Sequence, residues 1–229
     1  MKILGVESSA KAASVCLWED GRVLAEMFTN NGLTHSKTVL PMVESLLRVT
    51  GIELAQIDRL AVANGPGSFT GLRIGAAIVK GLSWSCEIPC VGVSTLRAMA
   101  ETARGQIGLI CPVMDARAGQ VYHALFEEKQ GKIVRLCEDR AIRADALLEE
   151  LSDRGRVLLL GDGAEMCYTM WRERISELVL LPEMLRFPHA AGVCACASEQ
   201  DAVSAGELSI SYIRLPQAER ERLARLKKE

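Results

Sequence analysis

A glycine-rich stretch, GPGSFTGLR, begins at Gly65 and contains the residue types that most directly suggest chemistry. Gly65 and Gly67 permit backbone angles that are closed to other residues, and Pro66 fixes the turn between them. Ser68 or Thr70 can cap a following helix, whose free amide groups would bind an anion. The stretch has neither the lysine nor the spacing of a P-loop. Phosphate binding, partner docking and a purely structural turn therefore remain open.

Two carboxylates and a second glycine turn form another candidate site. Glu7 and Asp115 each end a short apolar run that predicts a buried strand. Carboxylates at strand ends can hold Mg²⁺ and phosphates, or can simply accept hydrogen bonds from their own turns, which we favour. Gly161, Asp162 and Gly163 follow another predicted strand and could contact an adenine or a ribose, although a turn that needs glycine for its backbone angles explains them as well.

The cysteines, histidines and net charge exclude several classes of site. The chain has eight cysteines and three histidines, without a C-x-x-C pair, which fits neither a zinc site nor a disulfide framework. Cys16 and Cys111 lie in apolar runs and are expected to be buried. Free thiols and the lack of a bilayer-spanning apolar stretch predict a cytoplasmic protein with no membrane contact. A net charge of -2 argues against strong direct binding of RNA.

The elements that must position these residues occur twice along the chain. Each half begins with a strand that ends in an acidic residue, followed by a polar turn, a strand, a hairpin and another strand. Such repetition predicts an α/β protein with two duplicated lobes, each a mixed sheet covered by helices, facing one another across a cleft as in actin and hexokinase. We place the lobes at residues 1–105 and 106–216, followed by a charged tail at 217–229.

Two apolar helices are the most distinctive predicted elements of the first lobe. The first covers about residues 35–50, where Thr34 can cap it and an apolar face recurs at helical spacing. The second continues from Leu72 to about residue 85 and is apolar nearly all round, so that it would be buried on more than one side. We predict that its second face binds another protein. The predicted partner-binding residues are Gly65, Pro66, Gly67, Ser68, Phe69, Thr70, Gly71, Leu72, Arg73, Gly75, Ala76, Val79, Val39, Val43 and Leu46.

Four segments carry a resemblance to a known family: ILGVESS, THSKTVLP, GPGSFTGLRIG and VMDARAGQVYHALF. Over nearly its whole length the chain resembles the TsaB (YeaZ) family, which implies an actin-like ATPase fold. Members are described as non-catalytic relatives of TsaD, the enzyme that transfers threonylcarbamoyl to N6 of adenosine next to the anticodon in tRNAs reading ANN codons. The resemblance implies that the chain dimerises with TsaD and that the ATPase TsaE joins the pair. From the net charge of -2 we expect tRNA to be contacted only indirectly.

The resemblance also implies what the chain lacks. In TsaD-like proteins the stretch after the apolar helix carries metal-binding histidines, whose positions here hold Thr95 and Met99, neither of them a suitable metal ligand. We therefore expect no metal, no catalysis and no cofactor of the chain's own, with ATP or ADP at the junction with TsaD. Alone, the chain would form a homodimer through its apolar helices.

The alternative is an autonomous ATP-binding phosphotransferase or ATPase of the actin-like superfamily. It would use Glu7, Asp115 and the glycine turn at Gly161 and Gly163 to hold the nucleotide. Glu7 stands where the family usually has aspartate, which weakens the phosphate site of the first lobe.

Overall fold

The computed structural model describes residues 1–214 of the 229-residue chain as two halves built from the same order of strands. The first half contains β1 (Lys2–Glu7), β2 (Ala13–Glu19), β3 (Arg22–Thr29), α1 (His35–Thr50), β4 (Arg59–Gly65), α2 (Phe69–Cys86), β5 (Cys90–Ser94) and α3 (Thr95–Thr102). The rest contains β6 (Leu109–Asp115), β7 (Gln120–Lys129), β8 (Lys132–Arg143), α4 (Ala144–Leu151), β9 (Val157–Leu160), α5 (Ala164–Trp171), β10 (Leu178–Leu180), α6 (Glu183–Arg186) and α7 (Ala190–Ala197).

Each half contains a five-stranded mixed sheet, and the two sheets have the same topology. The strand order is β3-β2-β1-β4-β5 in the first sheet and β8-β7-β6-β9-β10 in the second. The first three strands of each half pair antiparallel, whereas β4 and β9 pair in parallel with β1 and β6. The repeated topology confirms the predicted duplication of a mixed-sheet lobe.

Helices cover both faces of the first sheet because successive strand residues point to opposite sides. On β1, Leu4 and Val6 belong to the core beneath α1 and α2, whereas Ile3 belongs to the core beneath α7. Helices α3 and α7 contact each other, and α3 also contacts strands of both sheets. Met99 of α3 packs with Phe126 of the second sheet, so that α3 joins the two lobes.

The C-terminal part of the described chain returns to the first lobe. The Cys194 thiol of α7 donates to the Ile3 carbonyl oxygen at 3.8 Å, and Val203 pairs with Cys90 at the end of the first sheet. The predicted division into 1–105 and 106–216 therefore needs correction, because the residues from α7 onward pack on the first sheet. The short apolar run of α7 could cover either sheet, and only tertiary packing decides between them. The predicted tail at 217–229 lies outside the described residues.

The helix starts agree with the predictions in part. Thr34 occupies the position before α1, but its side chain makes no capping hydrogen bond. Helix α2 begins at Phe69, earlier than the predicted Leu72, and is capped by Ser68. The predicted burial of Cys16 and Cys111 is confirmed. Within residues 1–214, no helix has the length and apolar character that crossing a membrane would need.

Candidate functional site

The glycine-rich turn lies against the β1–β2 turn of the same lobe. The Ser68 amide donates to the Ser9 carbonyl oxygen at 2.7 Å, and the Ser8 hydroxyl donates to the Gly71 carbonyl oxygen at 2.9 Å. A side chain at Gly67 would place its Cβ 2.5 Å from the Ser9 carbonyl oxygen, and one at Gly71 would overlap the Ser8 carbonyl. The glycines are therefore needed for the close approach of the two turns.

Part of the backbone at the start of α2 is satisfied within the chain. The Ser68 hydroxyl accepts the Gly71 amide at 3.3 Å, and the Ser68 amide is itself bound to Ser9. A phosphate at this helix start would compete with these bonds for the amide groups. Gly65 has φ +129°, a backbone angle that other residues rarely adopt. Of the readings that the sequence left open, these contacts favour a structural turn over a phosphate loop.

Arg73 connects the turn to the end of the described chain. Its guanidinium carbon lies 3.8 Å from the centroid of the Phe69 ring, and its Nε donates to the Tyr212 hydroxyl at 3.0 Å. The Phe69 and Tyr212 rings lie 5.2 Å apart. The Arg73 guanidinium is therefore engaged in contacts within the chain, which argues against a role as a phosphate-binding cation.

Glu7 and Asp115 end equivalent strands and tether equivalent turns. Glu7 Oε1 accepts the Ser9 amide at 2.6 Å, and Asp115 Oδ1 accepts the Arg117 amide at 2.7 Å. Glu7 is fully buried, and this burial raises its pKa to about 7. A carboxyl group that no solvent reaches cannot contact a cofactor in the cleft, which corrects the prediction for Glu7. Asp115 does line the cleft.

The second glycine turn packs against β6. The Gly163 amide donates to the Val113 carbonyl oxygen at 3.1 Å, and a Cβ at Gly161 would overlap that carbonyl. This packing corrects the predicted nucleotide contacts of Gly161 and Gly163, whose backbone is committed to the strand. Asp162 between them accepts the Asp115 amide at 3.1 Å and lines the cleft. The sequence named Asp162 only as part of this glycine turn and gave it no role of its own.

A cleft of about 970 Å³ separates the lobes and brings these turns together. Its walls are the β1–β2 turn with Lys11, the glycine-rich turn, the β6–β7 hairpin with Asp115, Asp162, and residues 211–214. Burial and the Asp115 charge raise the pKa of Asp162, while Lys11 opposes the rise. The cleft thus combines two carboxylates with nearby cations, while its glycine turns are occupied by contacts within the chain.

Most helical residues of the predicted partner-binding set lie in the core of the first lobe. The buried members are Val39, Val43, Leu46, Gly71, Leu72, Gly75, Ala76 and Val79. At Gly75 a Cβ would lie 2.5 Å from the Ser8 hydroxyl oxygen, so that this glycine serves packing within the chain. The prediction chose the more apolar face of each helix, and folding of the lobe itself buries that face. The prediction that these residues contact a partner is therefore corrected, because they belong to the core of the first lobe.

Both helices also carry apolar residues that the lobe leaves exposed. Leu40 and Val49 of α1 are 40% and 69% exposed, and Trp84 of α2 is 68% exposed. Ala77 and Gly81 are exposed between the ends of α2. We call these five residues the outer face. The predicted set omitted all of them, although the apolar character of α2 nearly all round was the signal that this helix has two apolar sides.

The positions compared with metal ligands lie between the lobes. Thr95 and Met99 are fully buried on α3. Residues 1–214 contain no group of three or more histidine, cysteine, aspartate or glutamate side chains placed to hold a metal ion. His123 accepts the Arg140 Nε at 2.8 Å, and burial lowers its pKa to about 4. His35 donates from Nε2 to the Ala10 carbonyl oxygen at 2.8 Å. Both histidines thus make structural contacts.

The chain resembles known proteins along most of its length. The family model described as "TsaD: tRNA N6-adenosine threonylcarbamoyltransferase" matches residues 23–200. A protein of Bacillus subtilis named tRNA threonylcarbamoyladenosine biosynthesis protein TsaB is 32% identical, over 96% of this chain and 96% of its own. The protein of the same name from Escherichia coli is 34% identical, over 87% of each chain.

Solved structures agree with these relatives. A Pseudomonas aeruginosa protein described as similar to peptidase YEAZ has a TM-score of 0.78 at 28% identity, covering 93% of this chain and 99% of its own. YeaZ from the same organism has a TM-score of 0.73 at 25% identity, covering 92% and 99%. The predicted actin-like ATPase fold is confirmed, and by its relatives the chain belongs to the TsaB (YeaZ) family of tRNA threonylcarbamoyladenosine biosynthesis proteins.

Proposed function

We propose that the chain is a non-catalytic subunit of the machinery that adds threonylcarbamoyl to N6 of adenosine in tRNAs reading ANN codons. Membership of the TsaB family supports a part in this pathway. In this role the chain docks on a TsaD-like catalytic subunit through the outer face of α1 and α2, and a TsaE-like ATPase joins the pair. Without TsaD, the same face would pair two copies of the chain.

The exposed tryptophan of the outer face is the observation that carries this proposal. Trp84 is 68% exposed on α2, next to a helix that exposes Val49 to 69%. Tryptophan is among the residues that dominate binding energy when an interface buries them. Leaving apolar surface in water on two adjacent helices is costly unless another chain covers it.

Gly81 adds a second argument for close packing of another helix. It lies inside α2, is exposed, and has no atom within 4 Å of the position that a Cβ would occupy. A glycine in the interior of a helix costs about 1 kcal/mol relative to alanine. Nothing within residues 1–214 uses the space beside it, so that the gap is available to a partner's helix.

Lack of catalysis is supported by the way the chain uses its own glycine turns. An ATP-dependent phosphotransferase would need backbone amides and carboxylates directed into the cleft. The Ser68 and Gly163 amides are bonded to Ser9 and Val113, and Glu7 is buried. We therefore place any ATP or ADP at the junction with TsaD, and we propose that tRNA is bound by the partners, since the net charge of this chain is -2.

Size-exclusion chromatography with a TsaD-like partner, with and without TsaE and nucleotide, tests the proposal. We expect co-elution with the wild-type chain and its loss with Val49→Lys, which puts a charge on the outer face. Ile107→Lys is the matched control, because Ile107 is 85% exposed but lies between α3 and β6. Co-elution unchanged by Val49→Lys would contradict the assigned face. Micromolar binding of Mg-ATP by the isolated chain, lost in Asp115→Ala, would favour the phosphotransferase instead.

A further inference from the structure

Residues 209–214 follow an irregular path from the first lobe to the second, and we call this segment the strap. Its first anchor is on β4. The Ser211 amide donates to the Asn64 carbonyl oxygen at 2.8 Å, and the Asn64 side-chain amide donates to the Ser209 carbonyl oxygen at 3.2 Å. At Gly65, a Cβ would overlap the Ser211 carbonyl. The glycine-rich turn therefore gives the strap room to lie directly on the backbone of the first lobe.

The second anchor is the stack of Arg73 with two aromatic rings. The Tyr212 hydroxyl accepts the Arg73 Nε, and the guanidinium lies over the Phe69 ring. All three side chains project from the start of α2 or from the strap. The contacts fix Tyr212 at the mouth of the cleft, although its side chain remains 42% exposed. An anchor this close to solvent can open without unfolding of the lobe beneath it.

The third anchor is in the second lobe. Arg214 Nη1 donates to the Ala116 carbonyl oxygen at 2.5 Å. Ala116 belongs to the β6–β7 hairpin, where its amide donates to the Gln120 carbonyl oxygen at 3.0 Å. The strap thus binds a hairpin of one lobe while its other end is bonded to the sheet of the other. Between these ends, residues 211–214 line the cleft.

The three anchors together suggest a conformational role. In two-lobed folds a cleft is closed by whatever binds both walls at once, and a ligand commonly does so. We propose that in this chain the strap performs that closure: α3 joins the lobes through a buried core, and the strap bridges the cleft in place of a ligand, holds the two cleft walls in one arrangement, and opens the cleft when it is released. This role is separate from docking through the outer face.

Hydrogen–deuterium exchange on the full chain, read by mass spectrometry, tests the closure. Tyr212→Phe removes only the hydroxyl bond to Arg73. We expect exchange of the Ser211 amide to become about fivefold faster, which corresponds to the loss of one ordinary hydrogen bond. Because the strap ties the lobes together, the Ala116 amide in the second lobe should also exchange faster. Arg214→Ala removes the anchor in the second lobe and should also make the exchange of both amides faster.

A tyrosine elsewhere provides the matched control. Tyr168→Phe removes a hydroxyl that has no hydrogen bond to any residue of 1–214, and it should leave both amides unchanged. Peptides from α4, in the core of the second lobe, report whether a variant is folded. Faster exchange at Ser211 without any change at Ala116 would overturn the proposal, because the strap would then be a surface segment that does not couple the lobes. Unchanged exchange at both amides in Tyr212→Phe and Arg214→Ala would overturn it as well.

Discussion

The two lobes share a topology but differ in the helices that follow their strands. Helices α1 and α2 of the first lobe have 16 and 18 residues, whereas α4 and α5 in the second have eight each. Both pairs bury one face against their own sheet. The first pair is about twice as long and also exposes an apolar outer face. Duplication supplied two similar cores. Helix α5 also exposes Met166 and Met170, and it is the longer pair with Trp84 that we propose as the docking surface.

The turns that follow β1 and β6 also differ between the lobes, in how deeply their polar residues are buried. In the first lobe Glu7, Ser8 and Ser9 are buried beneath the glycine-rich turn. In the second lobe Asp115 is exposed at the cleft, and the hairpin that follows holds Arg117 at φ 66°, an angle uncommon for a residue with a side chain. Both turns line the cleft, but the first-lobe turn buries its carboxyl group beneath α2, whereas the second-lobe turn exposes Asp115 to the cleft.

Replacing the tryptophan of α5 and that of α2 should give the largest difference in the free energy of unfolding between a core and a surface position. Trp171 of α5 is fully buried, so that Trp171→Ala should lower the free energy of unfolding by about 4 kcal/mol. Trp84→Ala, on the exposed end of α2, should change it by less than about 0.5 kcal/mol. Chemical denaturation measures both. Similar losses in the two variants would mean that Trp84 supports its own lobe, and the comparison would fail.

The buried carboxyl group of the first lobe should give stability a pH dependence. The folded-state pKa of Glu7 is raised from 4.5 to about 7, so that the folded chain holds a proton that the unfolded chain releases between these values. Stability from this group is therefore complete below pH 4.5 and is lost as pH rises through 7. The loss is roughly 3 kcal/mol.

Glu7→Gln isolates that contribution, because glutamine keeps an oxygen that can accept the Ser9 amide and cannot ionise. Denaturation between pH 4.5 and pH 8 should show a smaller fall in the free energy of unfolding for Glu7→Gln than for the wild type. Asp115→Asn at the equivalent turn of the second lobe serves as the control. Parallel pH profiles for wild type and Glu7→Gln would contradict the assignment of the buried proton.

The contact between the two first-lobe turns should be sensitive to a single methyl group. A Cβ at Gly71 would overlap the Ser8 carbonyl, which is backbone and cannot turn aside. Gly71→Ala should therefore destabilise the chain by about 2 kcal/mol. A thermal melt followed by circular dichroism measures the change. A variant as stable as the wild type would show that the turns do not need this close approach.

Gly81→Ala should have a small effect on the stability of the isolated chain, and in the opposite direction. There is open space beside Gly81, and alanine favours a helix interior over glycine, so that stability should rise by about 0.5–1 kcal/mol. Binding to a TsaD-like partner should weaken at the same time, because the added methyl group fills the gap. Increased stability with undiminished binding would remove Gly81 from the outer face.

Much of the fold was predictable from local sequence, because strand and helix periods are local properties. The duplicated mixed sheets and the start of α1 at His35 agree with the predictions. The return of α7 to the first sheet was not predictable, because it depends on contacts between residues such as Ile3 and Cys194, which are far apart in sequence.

The candidate site was less predictable than the fold. Apolar spacing identifies the face of a helix that is buried, but it does not state whether the chain itself or a partner buries it. Val43 and Gly75 were assigned to a partner on that pattern, and both lie in the core. The glycine turns were ambiguous for a similar reason, since the same residues suit a phosphate and the neighbouring backbone at Ser8 and Val113.

The affinity of the chain for a TsaD-like partner, measured by titration calorimetry, tests the central claim that the long helices of the first lobe form the docking surface. Trp84→Ala should weaken binding about 30-fold or more, as expected when a buried tryptophan anchor is lost from an interface. Met184→Ala should stay within about twofold of wild type, since Met184 is 84% exposed on α6 of the second lobe. Unchanged affinity in Trp84→Ala, or an equal loss in Met184→Ala, would contradict the claim.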